Sequence, residues 1–225
     1  MNTRQIAIIL SILAVLFTSC SNQSRLLADI DSYIQTYQDS AYTVLKKYIE
    51  SDLKSRKNRA KYCTLYATAL DKNYNDTSKF LDTLILYKNY YVHHGSKRDR
   101  MLYNFYLGDQ MSDSGMPESA ITYFSEALKY ATTIKDWFYC GIISQWISIL
   151  YAKQYNYNQQ LEYAEKACHY LKKTDKLVHL GDSRIKLAIA YMCKGRTKES
   201  LDLIRRTDQD AKDLQDTLLI YSALN

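Results

Sequence analysis

The sequence repeats itself, and that repetition limits the fold more than any other feature. Three segments superpose when Gly108, Ser148 and Ala188 are aligned, positions that stand 40 residues apart. The first runs Leu107-Gly108-x-x-Met111-x-x-x-Gly115, then Ala120-x-x-x-Phe124-x-x-Ala127. The second runs Ile147-Ser148-x-x-Tyr151, then Gln160-Leu161-x-x-Ala164-x-x-Ala167; the third runs Leu187-Ala188-x-x-Tyr191-x-x-x-Gly195, then Ser200-Leu201-x-x-Ile204. Self-similarity of this length marks stacked units, none of which can bury its apolar face alone.

The units read as helical. The 225 residues include 6 Gly and 1 Pro, against roughly 12% Gly plus Pro in average usage. A sandwich or barrel needs turn residues at short intervals, and a doubly wound α/β chain needs Gly at its corners, so long helices with short polar connections remain. Ala120, Ile121, Phe124, Ala127, Leu128 and Ala131 fall on one helical stripe. Pro117 stands in the first turn of that helix, where its missing N–H costs nothing, and Asn156 with Gln159 reads as a capping box opening a later one. The pattern predicts helices over 26–37, 40–51, 55–71, 78–93, 97–114, 117–133, 136–154, 157–172, 177–194, 197–209 and 213–223. An apolar content of 47% with 24% charge is globular, and 30 Lys+Arg against 24 Asp+Glu is only a mild basic excess.

The repeated residues resemble the tetratricopeptide repeat, whose signature runs Leu-Gly-x-x-Tyr, Gly at the helix turn, then Ala-x-x-x-Phe-x-x-Ala. The resemblance covers about Lys97 to Asp210. It implies an all-α, right-handed superhelical solenoid of antiparallel helix pairs, with about 40 residues per repeat instead of the usual 34. Asn104, Ser144 and Arg184 replace the early Trp, and the late Pro is missing. Residues 97–210 then hold three repeats, 97–135, 136–175 and 176–210. Residues 26–96 follow the pattern less clearly, with Ala67-Thr68 at the corresponding turn and Phe80, Leu84 and Tyr87 on the next helix, and read as degenerate repeats with a cap. Residues 211–225 read as a capping or truncated helix.

The N-terminus reads as a secretory signal peptide over 1–19: Arg4 supplies a positive charge, Ile6 to Phe17 is apolar except for Ser11, and small residues follow. The 12 residues Ile6–Phe17 would span roughly 18 Å, short of the roughly 30 Å of a bilayer's hydrocarbon core. Phe17-Thr18-Ser19-Cys20 resembles the lipobox of bacterial lipoproteins, with Phe17 where Leu is usual. That resemblance implies a diacylglycerol on the Cys20 sulfur, acylation of its new amino group after cleavage, and stable membrane attachment. An ordinary signal peptide is the alternative. Residues 20–25 then form a polar, lipid-anchored tether without an acidic residue, which implies the periplasmic face of the outer membrane.

No GxGxxG, GxxxxGK[ST], HExxH or CxxC motif occurs. Cys168, His169, His179 and Cys193 scatter over different helix faces, so neither a metal nor a cofactor is expected. Cys63, Cys140, Cys168 and Cys193 read as buried thiols, with a Cys140–Cys168 bridge left open. His93-His94 before Gly95 reads as a helix end. The basic run Lys54, Arg56, Lys57, Arg59 and Lys61 reads as a solvated helix start or a contact with anionic lipid, and a nucleic-acid partner is not expected. Tyr123, Tyr151, Tyr163 and Tyr191 read as wedges between helices.

The repeat resemblance also implies a concave partner groove lined by Leu102, Phe105, Asp109, Asp113, Ile142, Gln145, Ile149, Lys153, Asp182, Ile185, Ile189 and Met192. Phe105 and Asp109 stand where carboxylate-clamp members carry Lys and Asn, so binding of a C-terminal tail is not implied. Such a groove suits a helix or an extended peptide. The sequence therefore points to a non-enzymatic, lipid-anchored repeat protein that binds a protein or peptide as a scaffold or sensor of the cell envelope. The alternative is the periplasmic sensory part of a longer membrane-bound signalling or transcriptional regulator.

Overall fold

The computed structural model describes residues 22–34, 37–47, 53–72 and 81–213, and every regular element among them is a helix. In chain order these are α1 over 22–33, α2 Gln38–Leu45, α3 Arg56–Lys72, α4 Leu81–Leu86, α5 Lys88–His94, α6 Lys97–Asp113, α7 Pro117–Ile134, α8 Trp137–Lys153, α9 Tyr157–Leu171, α10 Leu177–Cys193 and α11 Thr197–Asp213. The chain divides into two compact units, Met1–Asp99 and Arg100–Asn225. The expected signal peptide, Cys20, Phe80 and the expected helix over 213–223, apart from Asp213, lie outside the described residues.

In the C-terminal unit the 40-residue period is built into the backbone. Gly115, Tyr155 and Gly195 all adopt left-handed φ angles of 71°, 58° and 72°. Directly after each, the N–H of Met116, Asn156 or Arg196 returns to the carbonyl of Met111, Tyr151 or Tyr191 at 2.9, 2.9 and 2.8 Å. This closes the first helix of each pair with a Schellman turn. Glycine takes that conformation without a Cβ penalty, whereas the exposed Tyr155 carries it. Tyr155→Gly is therefore expected to raise stability by about 1 kcal/mol and Gly195→Ala to lower it by a similar amount in urea titrations. A destabilising Tyr155→Gly would show that the Tyr155 ring outweighs its backbone conformation.

A second 40-residue register marks where the helices of each pair cross. Ser148 Oγ on α8 donates to the Gln160 carbonyl of α9 at 2.9 Å, and one repeat later Ser200 Oγ on α11 donates to the Ala188 carbonyl of α10 at 2.8 Å. Only helices in close approach let a serine hydroxyl reach the neighbouring backbone. At the corresponding crossing of α6 and α7, a Cβ on Gly108 would stand 2.8 Å from the Phe124 ring. Successive pairs are also tied, by Gln154 Nε2 to Glu118 Oε1 at 3.1 Å and Lys194 Nζ to Asn158 Oδ1 at 2.6 Å. Ala120, Phe124, Ala127 and Ala131 form the buried row of α7, and Ala164 and Cys168 of α9 pack with Leu187 and Ala190 of α10. Asn156 accepts from the Gln159 N–H at 3.3 Å, the cap expected for α9. Asp136 caps α8 in the same way.

The N-terminal unit departs further from expectation. Helix α1 already includes residues 22–25, which the sequence reading assigns to the tether. Their polar side chains serve the fold: Gln23 Oε1 accepts from the Lys54 N–H at 3.2 Å, and Ser24 Oγ donates to Asn58 Oδ1 at 2.9 Å. Helix α2 runs from Gln38 to Leu45 rather than over 40–51, and residues 48–50 are outside the described set. The single helix expected over 78–93 is broken at Tyr87, whose N–H bonds to the carbonyl of Leu84 three residues back. Leu84, Tyr87 and Tyr91 stay buried on one stripe across the break, so apolar spacing does not reveal it. The Tyr91 hydroxyl donates to the Ala60 carbonyl and joins α5 to α3.

Candidate functional site

The helix faces expected to form a groove divide into two groups. On α8, Ile142, Gln145 and Ile149 are only half-buried, whereas Ile143, Ser144, Ile147 and Ser148 are buried. On α10, Asp182 and Ile185 are half-buried, and Ile189 and Met192 are each 52% exposed. Gln145 Nε2 donates to Asp182 Oδ2 at 2.5 Å, joining the two rows, and Lys186 holds the other oxygen of Asp182. Gln145 Oε1 is buried without a hydrogen-bond partner. Lys153 and Asp113 are exposed. Lys186 was missed by the sequence reading, although an Asp–Lys pair four residues apart is a visible helical signal.

The α6 residues are different, and the expectation for them is corrected. Leu102, Phe105 and Asp109 are 2%, 5% and 8% exposed, so none lines an open surface. Almost every residue from Met101 to Gln110 is buried, so this stretch of α6 has no face to offer a partner, and Asp113 at the helix end is exposed. Phe105 instead joins an aromatic cluster, with its ring centroid 5.7 Å from Phe124 and 5.6 Å from Tyr139.

Among the described residues no three His, Cys, Asp or Glu side chains gather as metal ligands, and no helix is long and apolar enough to cross a membrane. Cys63, Cys140 and Cys168 are buried, and Cys140 and Cys168 are free thiols, so the bridge left open between those two is not formed. Burial pushes both of those thiols up, and they meet Thr132 and Ser183 hydroxyls. Both pack in the helical core of the C-terminal unit. Cys193, expected to be buried, is exposed at the end of α10.

The basic run also needs correction at its end. Lys61 is not a solvated charge: its Nζ donates to Asp31 at 2.8 Å and Asp99 at 2.9 Å, and Arg98 adds an ion pair to Asp31 at 3.6 Å. Burial pushes the Asp99 carboxyl up, but the Lys61 charge and hydrogen bonds from Ser96 and Lys61 outweigh it and hold the group below its ordinary value. A carboxylate with a lowered folded-state pKa stabilises above its unfolded value, near 4, and that contribution is lost as the pH falls through the folded value. Asp99→Asn is expected to cost about 1–3 kcal/mol at pH 7. It should also flatten the acid limb of the stability curve below about pH 4; an unchanged acid limb would show that the Lys61 pairing does not set it.

No protein-family model matches the chain, and no curated protein matches it. Solved structures do. BtubC (BKLC) from P. vanneervenii is 12% identical, with a TM-score of 0.65 over 89% of this chain and 92% of that one. A Signal Transduction ATPase with Numerous Domains protein with a tetratricopeptide repeat sensor, from Pyrococcus horikoshii, is 21% identical, with a TM-score of 0.63 over 92% of this chain and 32% of that one. A Rap protein complexed with competence and sporulation factor is 14% identical, with a TM-score of 0.62 over 90% and 54%. At these identities the likeness is one of architecture, and with the 40-residue register of turns and crossings it establishes an all-α solenoid of tetratricopeptide-like helix pairs.

Proposed function

We propose that the protein is a non-enzymatic, lipid-anchored repeat protein of the cell envelope that holds a protein or peptide partner along the open rows of α8 and α10. The observation that carries this reading is the Gln145–Asp182 bond, which fixes two apolar rows side by side with Ile189 and Met192 half exposed beside them. A fixed apolar strip with a polar edge suits a helix or strand that presents spaced anchors. The Rap relative was solved in complex with a factor, which supports a binding role for this architecture. Cys20, in its lipobox-like setting, would supply the membrane anchor on the periplasmic side of the outer membrane.

A second reading, the sensory part of a longer regulator, is favoured by one observation: the Pyrococcus horikoshii relative carries its repeats as a sensor in a larger chain. An open reading frame continuing past Asn225 into an apolar stretch of about 20 residues would support it.

Capture from envelope extracts tests the binding reading. Ile189→Glu with Met192→Glu changes two exposed side chains, so helicity and melting should stay as in the parent while partner capture falls at least about tenfold. Unchanged capture overturns the assignment of this face. Cys20→Ser should move the protein to the soluble fraction, and continued membrane retention would refute the anchor.

A further inference from the structure

The N-terminal unit contains a cavity of about 380 Å³, walled by residues of α1, α3, α5 and the first turn of α6. That volume lies at the small end of the range for small-molecule sites. We propose that it binds a small, electrically neutral, hydroxyl-rich molecule the size of one sugar ring.

Charge comes first. Within the lining, Asp31 and Asp99 face Lys57 and Lys61 and these four formal charges cancel, while Arg98, outside the lining, pairs with Asp31 from behind. An anion would meet two carboxylates and a cation two ammonium groups, so a neutral ligand is favoured over either.

Hydrogen bonding narrows the class. Asn58 is 98% buried, its exposure being 2%, and while Oδ1 takes the Ser24 hydroxyl, Nδ2 has no partner. Exchanging the amide oxygen and nitrogen would only move the orphan to the other atom. Asp31 Oδ1 is likewise buried with no hydrogen bond, and the Arg98 guanidinium stands 3.6 Å from it. Lys61 spends two of its three N–H groups on Asp31 and Asp99. The residues of the wall thus hold unused donors at Asn58 and Lys61 beside an unused acceptor at Asp31; Asn58 Nδ2 and Asp31 Oδ1 are closed off as they stand and come within a ligand's reach once those two side chains turn toward the cavity. A hydroxyl group can accept from the first two and donate to the third, which neither a carboxylate nor an ammonium can do alone. The half-buried Tyr90 ring and Leu27 give the C–H face of such a molecule an apolar wall.

The test is a titration of the full-length protein, in a sugar-free detergent, with glucose, galactose, mannose and myo-inositol. Glycine and inorganic phosphate serve as comparators, and saturation-transfer NMR and the thermal midpoint are the readouts. At least one of the four neutral compounds should bind saturably and raise the midpoint. Ser24→Ala with Asn58→Leu should weaken that binding at least about tenfold. Because the replacement removes an orphaned buried amide, the midpoint without ligand should not fall, whereas a purely structural Asn58 would lower it. If that variant does not fold, Asp31→Asn, which leaves Lys61 its Asp99 partner, should show the same loss of affinity. Binding by none of the four, binding of glycine or phosphate in their place, or undiminished affinity in a folded variant overturns the proposal.

Discussion

Phe124→Ala is expected to destabilise the C-terminal unit by about 3–5 kcal/mol, measured as a shift of the urea midpoint at constant slope. Its side chain is fully buried, with its ring 5.7 Å from Phe105, stacked 6.4 Å from Trp146 and pressed against Gly108. One truncation therefore opens space on α6, α7 and α8 together, and rigid helix backbones cannot close it from three sides. A loss below about 1 kcal/mol would mean that the pairs slide to refill the site and that the α6–α7 crossing is softer than described.

Gly141→Val should be destabilising in the opposite sense, by overpacking. A Cβ at Gly141 would overlap the side chain of Leu171, which is itself fully buried, so α8 and α9 must separate. Such insertions cost about 1–3 kcal/mol even though leaving glycine improves helix propensity. Leu171→Ala alone should cost about 2–5 kcal/mol by leaving a cavity. In the double variant the new methyl groups enter that cavity, so its loss should be smaller than the sum of the two by at least about 1 kcal/mol. Additivity within about 0.5 kcal/mol would show that the two positions do not meet.

What was legible in the sequence followed from backbone requirements that only a few residue types satisfy. Gly108, Gly115, Gly195 and Pro117 all stand where expected, at a close crossing, two left-handed turns and a helix start. From Lys97 to Cys193 the helix ends agree with the sequence pattern to within one residue. Tyr155 and Gly141 show what stayed hidden: a tyrosine in a left-handed turn carries no glycine signal, and the need for glycine at 141 lies in Leu171, 30 residues away. The face assignment failed at Phe105 for a related reason. Period tells which residues share a side of a helix, but not whether neighbours cover that side, and on α6 they do. Lys61 read as one charge in a basic run because its partners Asp31 and Asp99 are 30 and 38 residues distant.

The bridges that recur along the C-terminal unit have a bearing on how it forms. Ser148 to Gln160 and Ser200 to Ala188 join positions 12 apart, Gln154 to Glu118 and Lys194 to Asn158 join positions 36 apart, and Gln145 to Asp182 spans 37. None reaches beyond the adjoining repeat. Loop-closure entropy rises with the logarithm of the intervening length, so no step need gather distant ends of the chain. Low contact order of this kind goes with folding in microseconds to milliseconds. A hairpin emerging from a ribosome or a translocation pore could thus settle before its successor has left the machine, with each completed pair templating the next.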